Sequence, residues 1–199
     1  KLILILRNPI ERSYSAYWDA RKVALEDVDN FEDAIKKEEE RMSSGDSKQL
    51  DLLTYLEHGY YSKQIKEYLK YFSRDQIKII FFEDLKNHPK NTVQDVFSFL
   101  KVEKDFCPVF EKVNLAGLPR SILLQRLLQK IKIPRVIKGF ISTNYTSKIK
   151  TKLIREFNVR KLEYPKMKNE TRNVLLSRFS NEIDELEELL DVNLNHWRC

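Results

Sequence analysis

The first eighteen residues, KLILILRNPIERSYSAYW, constrain the fold more than any other stretch of this chain. Residues 2–6 are all aliphatic and are followed at once by polar residues and a proline, a pattern typical of a strand buried on both faces. Asn8 can cap a helix that begins at Pro9, and Glu11 stands where a capping-box carboxylate would reach back. The pattern therefore predicts a buried strand that leads directly into a helix, with Arg7 at the carboxyl end of the strand.

The corner between such a strand and helix is a common ligand site in open α/β sheets. Arg-Asn-Pro, with Arg12 and with Ser15 eight positions after Arg7, resembles the 3′-phosphate-binding motif of sulfotransferases that use 3′-phosphoadenosine 5′-phosphosulfate (PAPS). The resemblance implies that Arg7 and Ser15 bind the 3′-phosphate of this co-substrate. A guanidinium offers a forked, permanently charged donor to phosphate, and a serine near a helix start adds a neutral one. The alternative is that Arg7 caps a sheet edge and Ser15 faces solvent.

A second run, residues 77–82, is apolar except for Lys78 and predicts a second buried strand. Pro89 then lies early in a helix, and the order of strands and helices indicates a parallel sheet with helical crossovers. Phe82-Glu-Asp-Leu85, the proline that follows and Phe99-Leu-Lys-Val102 resemble the same family in the same order. Glu83 and Asp84 are interpreted as structural, because adjacent strand residues point to opposite faces. The predicted fold class is α/β, a P-loop nucleotide-binding-like parallel sheet flanked by helices, with a largely helical carboxyl-terminal half.

His58-Gly-Tyr-Tyr61 precedes an amphipathic helix whose apolar stripe begins at Tyr61. A similar Gly-x-Tyr in the family faces the acceptor cleft, so the resemblance makes Tyr61 a candidate for substrate binding, with Gly59 permitting close approach. A role in the core is the alternative for both residues. His58 has no identified carboxylate partner and is interpreted as structural.

Three basic segments are candidates for contact with a substrate, the cofactor or a membrane. Residues 120–141 include a basic amphipathic helix that could touch a membrane surface or cover a lipid-like acceptor, although an ordinary packed helix with snorkelling lysines is the alternative. Lys36, Lys37 and Arg41 could meet an acidic substrate, but a solvated surface is favoured. The chain departs from the family in lacking a clear Lys-Gly-Arg cover over the cofactor, and Arg160 and Lys161 are the candidate substitutes. The chain is expected to end in an inward-facing helix from about 171 to 190 and a closing Trp197.

Composition limits the class of protein. The 199 residues, 42% of them hydrophobic, suffice for one sulfotransferase domain over residues 1–199. The formal charge of +6 implies an anionic partner, or only solubility. A nucleic-acid partner is not expected. Cys107 and Cys199 form neither a disulfide framework nor a metal-ligand spacing, so no metal is expected. A cytoplasmic location is predicted, with the Golgi lumen as the alternative.

A glycine-rich phosphate loop is missing from the sequence before the first strand, whereas the family needs one to hold the 5′-phosphosulfate. We therefore expect the amino-terminal donor-loop part to be missing, no catalytic residue to lie in this stretch, and the 199 residues alone to be inactive. The implied reaction is transfer of a sulfuryl group from PAPS to a hydroxyl or amine of a carbohydrate, lipid or small-molecule acceptor. The alternatives are a nucleotide kinase-like P-loop fragment and a non-enzymatic basic module that binds polyanions.

Overall fold

The computed structural model of the chain describes residues 1–103, 105–106, 108–110, 118–119, 159–160 and 164–198. It divides into two compact units. The first comprises the described residues of Lys1–Ser13, Tyr55–Val113 and Lys168–Cys199, and the second those of Tyr14–Thr54 and Asn114–Met167. Within the described ranges, no helix has the length and apolar character needed to cross a membrane.

The strands are β1 Leu2–Leu6, β2 Ile77–Phe81, β3 Leu118–Pro119 and β4 Val159–Arg160. The α-helices are α1 Pro9–Lys22, α2 Phe31–Lys36, α3 Glu38–Ser43, α4 Ser47–Leu53, α5 Tyr61–Leu69, α6 Phe82–Asn87, α7 Pro89–Leu100 and α8 Asn169–Leu190. Short 3-10 helices cover Glu57–Gly59, Arg74–Gln76 and Asn195–Trp197.

The sheet of the first unit pairs β1 and β2 in parallel, with Leu2 opposite Ile77 and Leu6 opposite Phe81. Helices separate the two strands along the chain, as a parallel connection requires. The prediction that β1 is buried on both faces is wrong for the described residues, because Ile3 is 40% and Ile5 is 54% exposed. Successive side chains of a strand point to opposite faces, and the face that carries these two isoleucines is open.

Helix α8 forms much of the core of the first unit. Its buried apolar residues recur at helical spacing, and they are Leu175, Phe179, Ile183, Leu186 and Leu190. Gly59 packs closely against this helix, since a Cβ atom at Gly59 would lie 2.9 Å from the ring of Phe179 and 3.1 Å from Cβ of Pro9. The close approach that the sequence suggested at Gly59 is thus made by the protein's own core.

In the second unit, a cluster of aromatic rings packs α1 against α2. The Phe31 ring lies 5.1 Å from that of Tyr14 and 5.6 Å from that of Tyr17. Trp18 stacks on Tyr164 at a centroid distance of 5.4 Å. A strand pair, β3 with β4, is antiparallel in the same unit. Trp18 is therefore part of a packed aromatic layer.

The structure corrects two predictions about local structure. Glu83 and Asp84 lie in the first turn of α6 rather than at the end of a strand, so the argument from opposite strand faces was wrong. Strand β2 ends at Phe81, one residue earlier than predicted, and Phe82 is the first residue of α6. The basic segment 120–141 and Lys161 lie outside the described residues.

Candidate functional site

The candidate site is the corner between β1 and α1, where the side chain of Asn8 fixes the backbone. Asn8 is buried, and its Oδ1 accepts hydrogen bonds from the amides of Ile10 at 3.0 Å and Glu11 at 3.5 Å. These bonds confirm the predicted cap of α1. Its Nδ2 donates to the carbonyl oxygen of Trp197 at 2.9 Å. The closing segment of the chain therefore holds the start of α1 in place.

The hydroxyl of Tyr61 fixes the residue before Asn8. It donates to the carbonyl oxygen of Arg7 at 3.0 Å, and the Tyr61 side chain is buried. Burial raises the pKa of Tyr61 to about 12, against the opposing positive charges of Arg12 and Arg7. The hydroxyl thus keeps its proton at neutral pH and remains a donor. The hydroxyl that was predicted to contact substrate binds the backbone of Arg7, and contact of Tyr61 with an acceptor stays a prediction.

The first turns of α1 carry two further bonds to one carbonyl. Arg12 Nη1 donates to the carbonyl oxygen of Tyr55 at 2.9 Å, and the Ser13 hydroxyl donates to the same oxygen at 3.0 Å. Both donors approach an oxygen just before the 3-10 helix Glu57–Gly59. Hydrogen bonds therefore hold three consecutive parts of the corner: the residue after β1, the cap of α1 and the first two turns of α1.

The guanidinium of Arg7 is held loosely on this rigid backbone. Its Nη2 lies 3.8 Å from Oε2 of Glu11, and the two side chains are 31% and 40% exposed. It also lies over the ring of Phe82 at 4.9 Å from the centroid. The attraction between two charges this far apart and this exposed is weak. The Arg7 guanidinium can therefore bind an anionic ligand without breaking a strong contact.

Glu11 has a closer partner. Its Oε1 lies 2.6 Å from Nη1 of Arg172, a residue of the first turn of α8. The predicted capping box is therefore replaced by an ion pair with a distant residue, because the carboxylate of Glu11 turns toward α8. Sequence reasoning missed Arg172, since it is one of 36 lysines and arginines and no spacing links it to Glu11.

Ser15, the other predicted phosphate ligand, lies on α1 and is partly exposed. Within the described part of the chain, its hydroxyl forms no hydrogen bond. Ser15 belongs to the second unit and Arg7 to the first. Whether the two bind one phosphate stays a prediction that rests on the motif.

Three buried polar atoms of the first unit have no hydrogen-bond partner in the described part of the chain: Nε2 of His58, Oε2 of Glu83 and Nε1 of Trp197. His58 follows Glu57 in a 3-10 helix, and Glu83 lies in α6. Neither has a described contact that connects it with Arg7. We assign no catalytic role to either residue.

Residues 1–161 match the family described as "Sulfotransferase domain". The chain belongs to this sulfotransferase family. No curated protein matches the chain. Among solved structures, the crystal structure of a sulfotransferase from Alicyclobacillus acidocaldarius matches with a TM-score of 0.67 and 25% sequence identity, over 100% of this chain and 57% of that one. The likeness and the parallel pair of strands support an α/β fold.

Arg7 and Ser15 both lie within the residues that match the sulfotransferase family. Their role as phosphate ligands stays a prediction. The chain spans little more than half the length of the Alicyclobacillus sulfotransferase. The family assignment therefore holds for this chain, whereas the activity of a complete sulfotransferase is a proposal.

Proposed function

We propose that this chain is the 3′-phosphate-binding part of an enzyme that transfers a sulfuryl group from PAPS to a hydroxyl or amine of a carbohydrate, lipid or small-molecule acceptor. The observation that carries the proposal is the corner at Arg7, where a loosely paired guanidinium stands on a backbone fixed by Asn8 and Tyr61. Membership of the sulfotransferase family supports the reaction class. A P-loop-like arrangement of the sheet and a cytoplasmic location, with the Golgi lumen as alternative, belong to the same proposal.

The residues of the corner suit a phosphate group. Arg7 supplies a forked cation that can donate two hydrogen bonds to phosphate oxygens. The start of α1 adds the positive end of a helix dipole, which favours a bound anion. Ser15 would add a hydroxyl donor to the same phosphate. These groups recognise the nucleotide and leave the sulfuryl group itself untouched.

The proposed reaction breaks one oxygen–sulfur bond and forms a bond from sulfur to the acceptor's oxygen or nitrogen. The acceptor oxygen or nitrogen attacks the sulfur, the bond from sulfur to the bridging phosphate oxygen breaks, and 3′-phosphoadenosine 5′-phosphate leaves. The acceptor's proton passes to a base, and negative charge grows on the leaving phosphate. We assign no such base within this chain. Arg7 and Ser15 contribute by binding and orienting the nucleotide.

Titration of the chain with 3′-phosphoadenosine 5′-phosphate, followed by calorimetry, tests the proposal. We expect saturable binding at one site, and weaker binding of adenosine 5′-phosphate, which lacks the 3′-phosphate. Binding that does not saturate and falls steeply with salt would favour a basic module that binds polyanions. Equal affinity for both nucleotides would favour a nucleotide kinase-like site.

Replacing Arg7 tests the residue that carries the proposal. Arg7→Ala should weaken binding of 3′-phosphoadenosine 5′-phosphate about tenfold to a hundredfold, because a charge-assisted phosphate contact contributes roughly 1.5–3 kcal/mol. Lys70→Ala is a control of equal charge change, since Lys70 forms an exposed pair with Glu67. An unchanged dissociation constant in Arg7→Ala would contradict the proposal.

A further inference from the structure

Glu11 raises a problem for the proposed phosphate site, on which the following inference rests. It stands one turn after Arg7 on α1, and its carboxylate lies 3.8 Å from the Arg7 guanidinium. A carboxylate there both competes with a phosphate for Arg7 and repels the phosphate itself. A phosphate-binding corner needs some way to offset this charge.

An ion pair between Glu11 and Arg172 offsets this charge. Arg172 lies 2.6 Å from Glu11, whereas Arg7 lies 3.8 Å from the other oxygen of the same carboxylate. The shorter contact is a charge-assisted hydrogen bond, and the longer one is not a hydrogen bond. Glu11 is therefore bound mainly by Arg172, which leaves Arg7 loosely held.

The position of Arg172 is set by packing rather than by chance contact at the surface. It lies in the first turn of α8, where its amide donates to the carbonyl oxygen of Lys168 at 3.0 Å. Leu175 and Phe179, on the next turns, are buried in the core of the first unit. The side chain of Arg172 is 27% exposed, so its pair with Glu11 is partly shielded from water.

We propose that Arg172 is a positioning residue that binds and neutralises Glu11, so that Arg7 remains available for the 3′-phosphate. Arg172 acts through Glu11 and does not itself touch the phosphate. Loss of Arg172 would release the Glu11 carboxylate toward Arg7 and toward the nucleotide. The effect should be specific to ligands that carry a 3′-phosphate.

A double-mutant cycle in the full chain tests this role. Arg172→Met should weaken binding of 3′-phosphoadenosine 5′-phosphate roughly tenfold, the size of one uncompensated charge at a partly exposed site. Glu11→Gln should bind as well as the unaltered chain or better. The double variant Glu11→Gln with Arg172→Met should regain most of the lost affinity, and Arg172→Lys should bind nearly normally. Binding of adenosine 5′-phosphate should change less than twofold throughout.

Lys66→Met is the matched control. Lys66 also pairs with a residue of α8, at 3.0 Å from Glu185, rather than with Glu11. This substitution removes the same net charge and should leave the dissociation constant within about twofold, by the modest effect of surface pairs. Should Arg172→Met fail to fold, Arg172→Gln takes its place in the cycle.

The outcomes separate two failures. If the unaltered chain binds 3′-phosphoadenosine 5′-phosphate no better than adenosine 5′-phosphate, both the proposed function and the role of Arg172 are overturned. If it does prefer the 3′-phosphate, three results overturn the role of Arg172 alone. They are normal affinity in Arg172→Met, no recovery in the double variant, and an equal loss for both nucleotides.

Discussion

Two arginine–glutamate pairs, one in each unit, differ in distance and in exposure to water. In the first unit, Arg7 lies 3.8 Å from Glu11 and both side chains are about one third exposed or more. In the second unit, Arg41 lies 2.8 Å from Glu26, with 8% and 0% of the side chains exposed. A tight buried pair holds a fold together, whereas a loose exposed pair leaves its arginine available to a ligand.

The buried pair is embedded in further hydrogen bonds. Glu26 Oε1 accepts from the amides of Asp27 and Val28, each at 3.0 Å. Arg41 Nη1 donates to the carbonyl oxygen of Leu53 at 2.9 Å. The pair therefore ties together the loop after α1, helix α3 and the end of α4. Arg41 is a structural residue, and the sequence-based expectation that it lies on a solvated surface was wrong.

The largest expected effect follows from breaking the buried pair. Arg41→Met should lower the free energy of unfolding by about 3–5 kcal/mol, because Glu26 would be left as an uncompensated buried charge. Urea unfolding followed by circular dichroism measures the change. Arg7→Met is the control and should cost less than about 1 kcal/mol, since its pair is exposed. Similar losses in both variants would abolish the contrast between the two pairs.

A buried carboxylate without the same ion pair gives an intermediate case. Glu182 of α8 accepts hydrogen bonds from the amide of Ser62 at 2.8 Å and from its hydroxyl at 2.7 Å, and so caps α5 from another element. Glu182→Ala should cost about 1–3 kcal/mol, because it leaves the buried donors of Ser62 unsatisfied. Chemical unfolding measures this, and a loss below about 0.5 kcal/mol would contradict the capping role.

The pH dependence of stability gives a second test of the role of Glu182. Burial raises the pKa of Glu182 above its ordinary value of 4.5, although the bonds from Ser62 oppose the rise. The folded state thus binds the proton more tightly than the unfolded state, and this group's contribution to stability falls as pH rises from 4.5 through the raised pKa. Glu182→Gln should remove that decrease when unfolding is measured across the same range. A curve parallel to that of the unaltered chain would contradict the assignment.

A smaller effect is expected from the bond that fixes Arg7. Tyr61→Phe removes the donor to the Arg7 carbonyl oxygen and keeps the ring, so it should cost about 0.5–1.5 kcal/mol of stability. Thermal unfolding with nucleotide titration measures both consequences. Tyr68→Phe is a control on the exposed side of α5. If Tyr61→Phe leaves stability unchanged, the hydroxyl does not hold the corner, and a role in substrate contact gains weight.

The smallest expected effect concerns Ser15. Ser15→Ala should weaken binding of 3′-phosphoadenosine 5′-phosphate roughly twofold to tenfold, as loss of one neutral hydrogen bond of about 0.5–1.5 kcal/mol implies. Stability should change by less than about 0.5 kcal/mol. Ser180→Ala, at a partly exposed site on α8, is the control. A loss for Ser15→Ala as large as that for Arg7→Ala would remove the expected difference between a neutral and a charged ligand.

Near neighbours in the sequence determined the local structure around the candidate site. The aliphatic run 2–6 predicted β1, and Asn8 with Pro9 predicted the start of α1, because a strand pattern and a helix cap depend on residues within a few positions. The apolar spacing of residues 175–190 likewise predicted the inward face of α8. These features need no knowledge of what the chain packs against.

Only the tertiary structure decided the partners of the charged and polar groups. Glu11 has the right position for a capping box, yet it pairs with Arg172, which lies 161 positions away. Arg41 belongs to a charge-dense segment that predicts a surface, yet it is buried against Glu26. A charged side chain has many candidate partners of similar chemistry, and the packing of distant elements selects among them by distance and by exclusion of water. Sequence therefore predicted where Arg7 lies, and the fold decided that its guanidinium is left available.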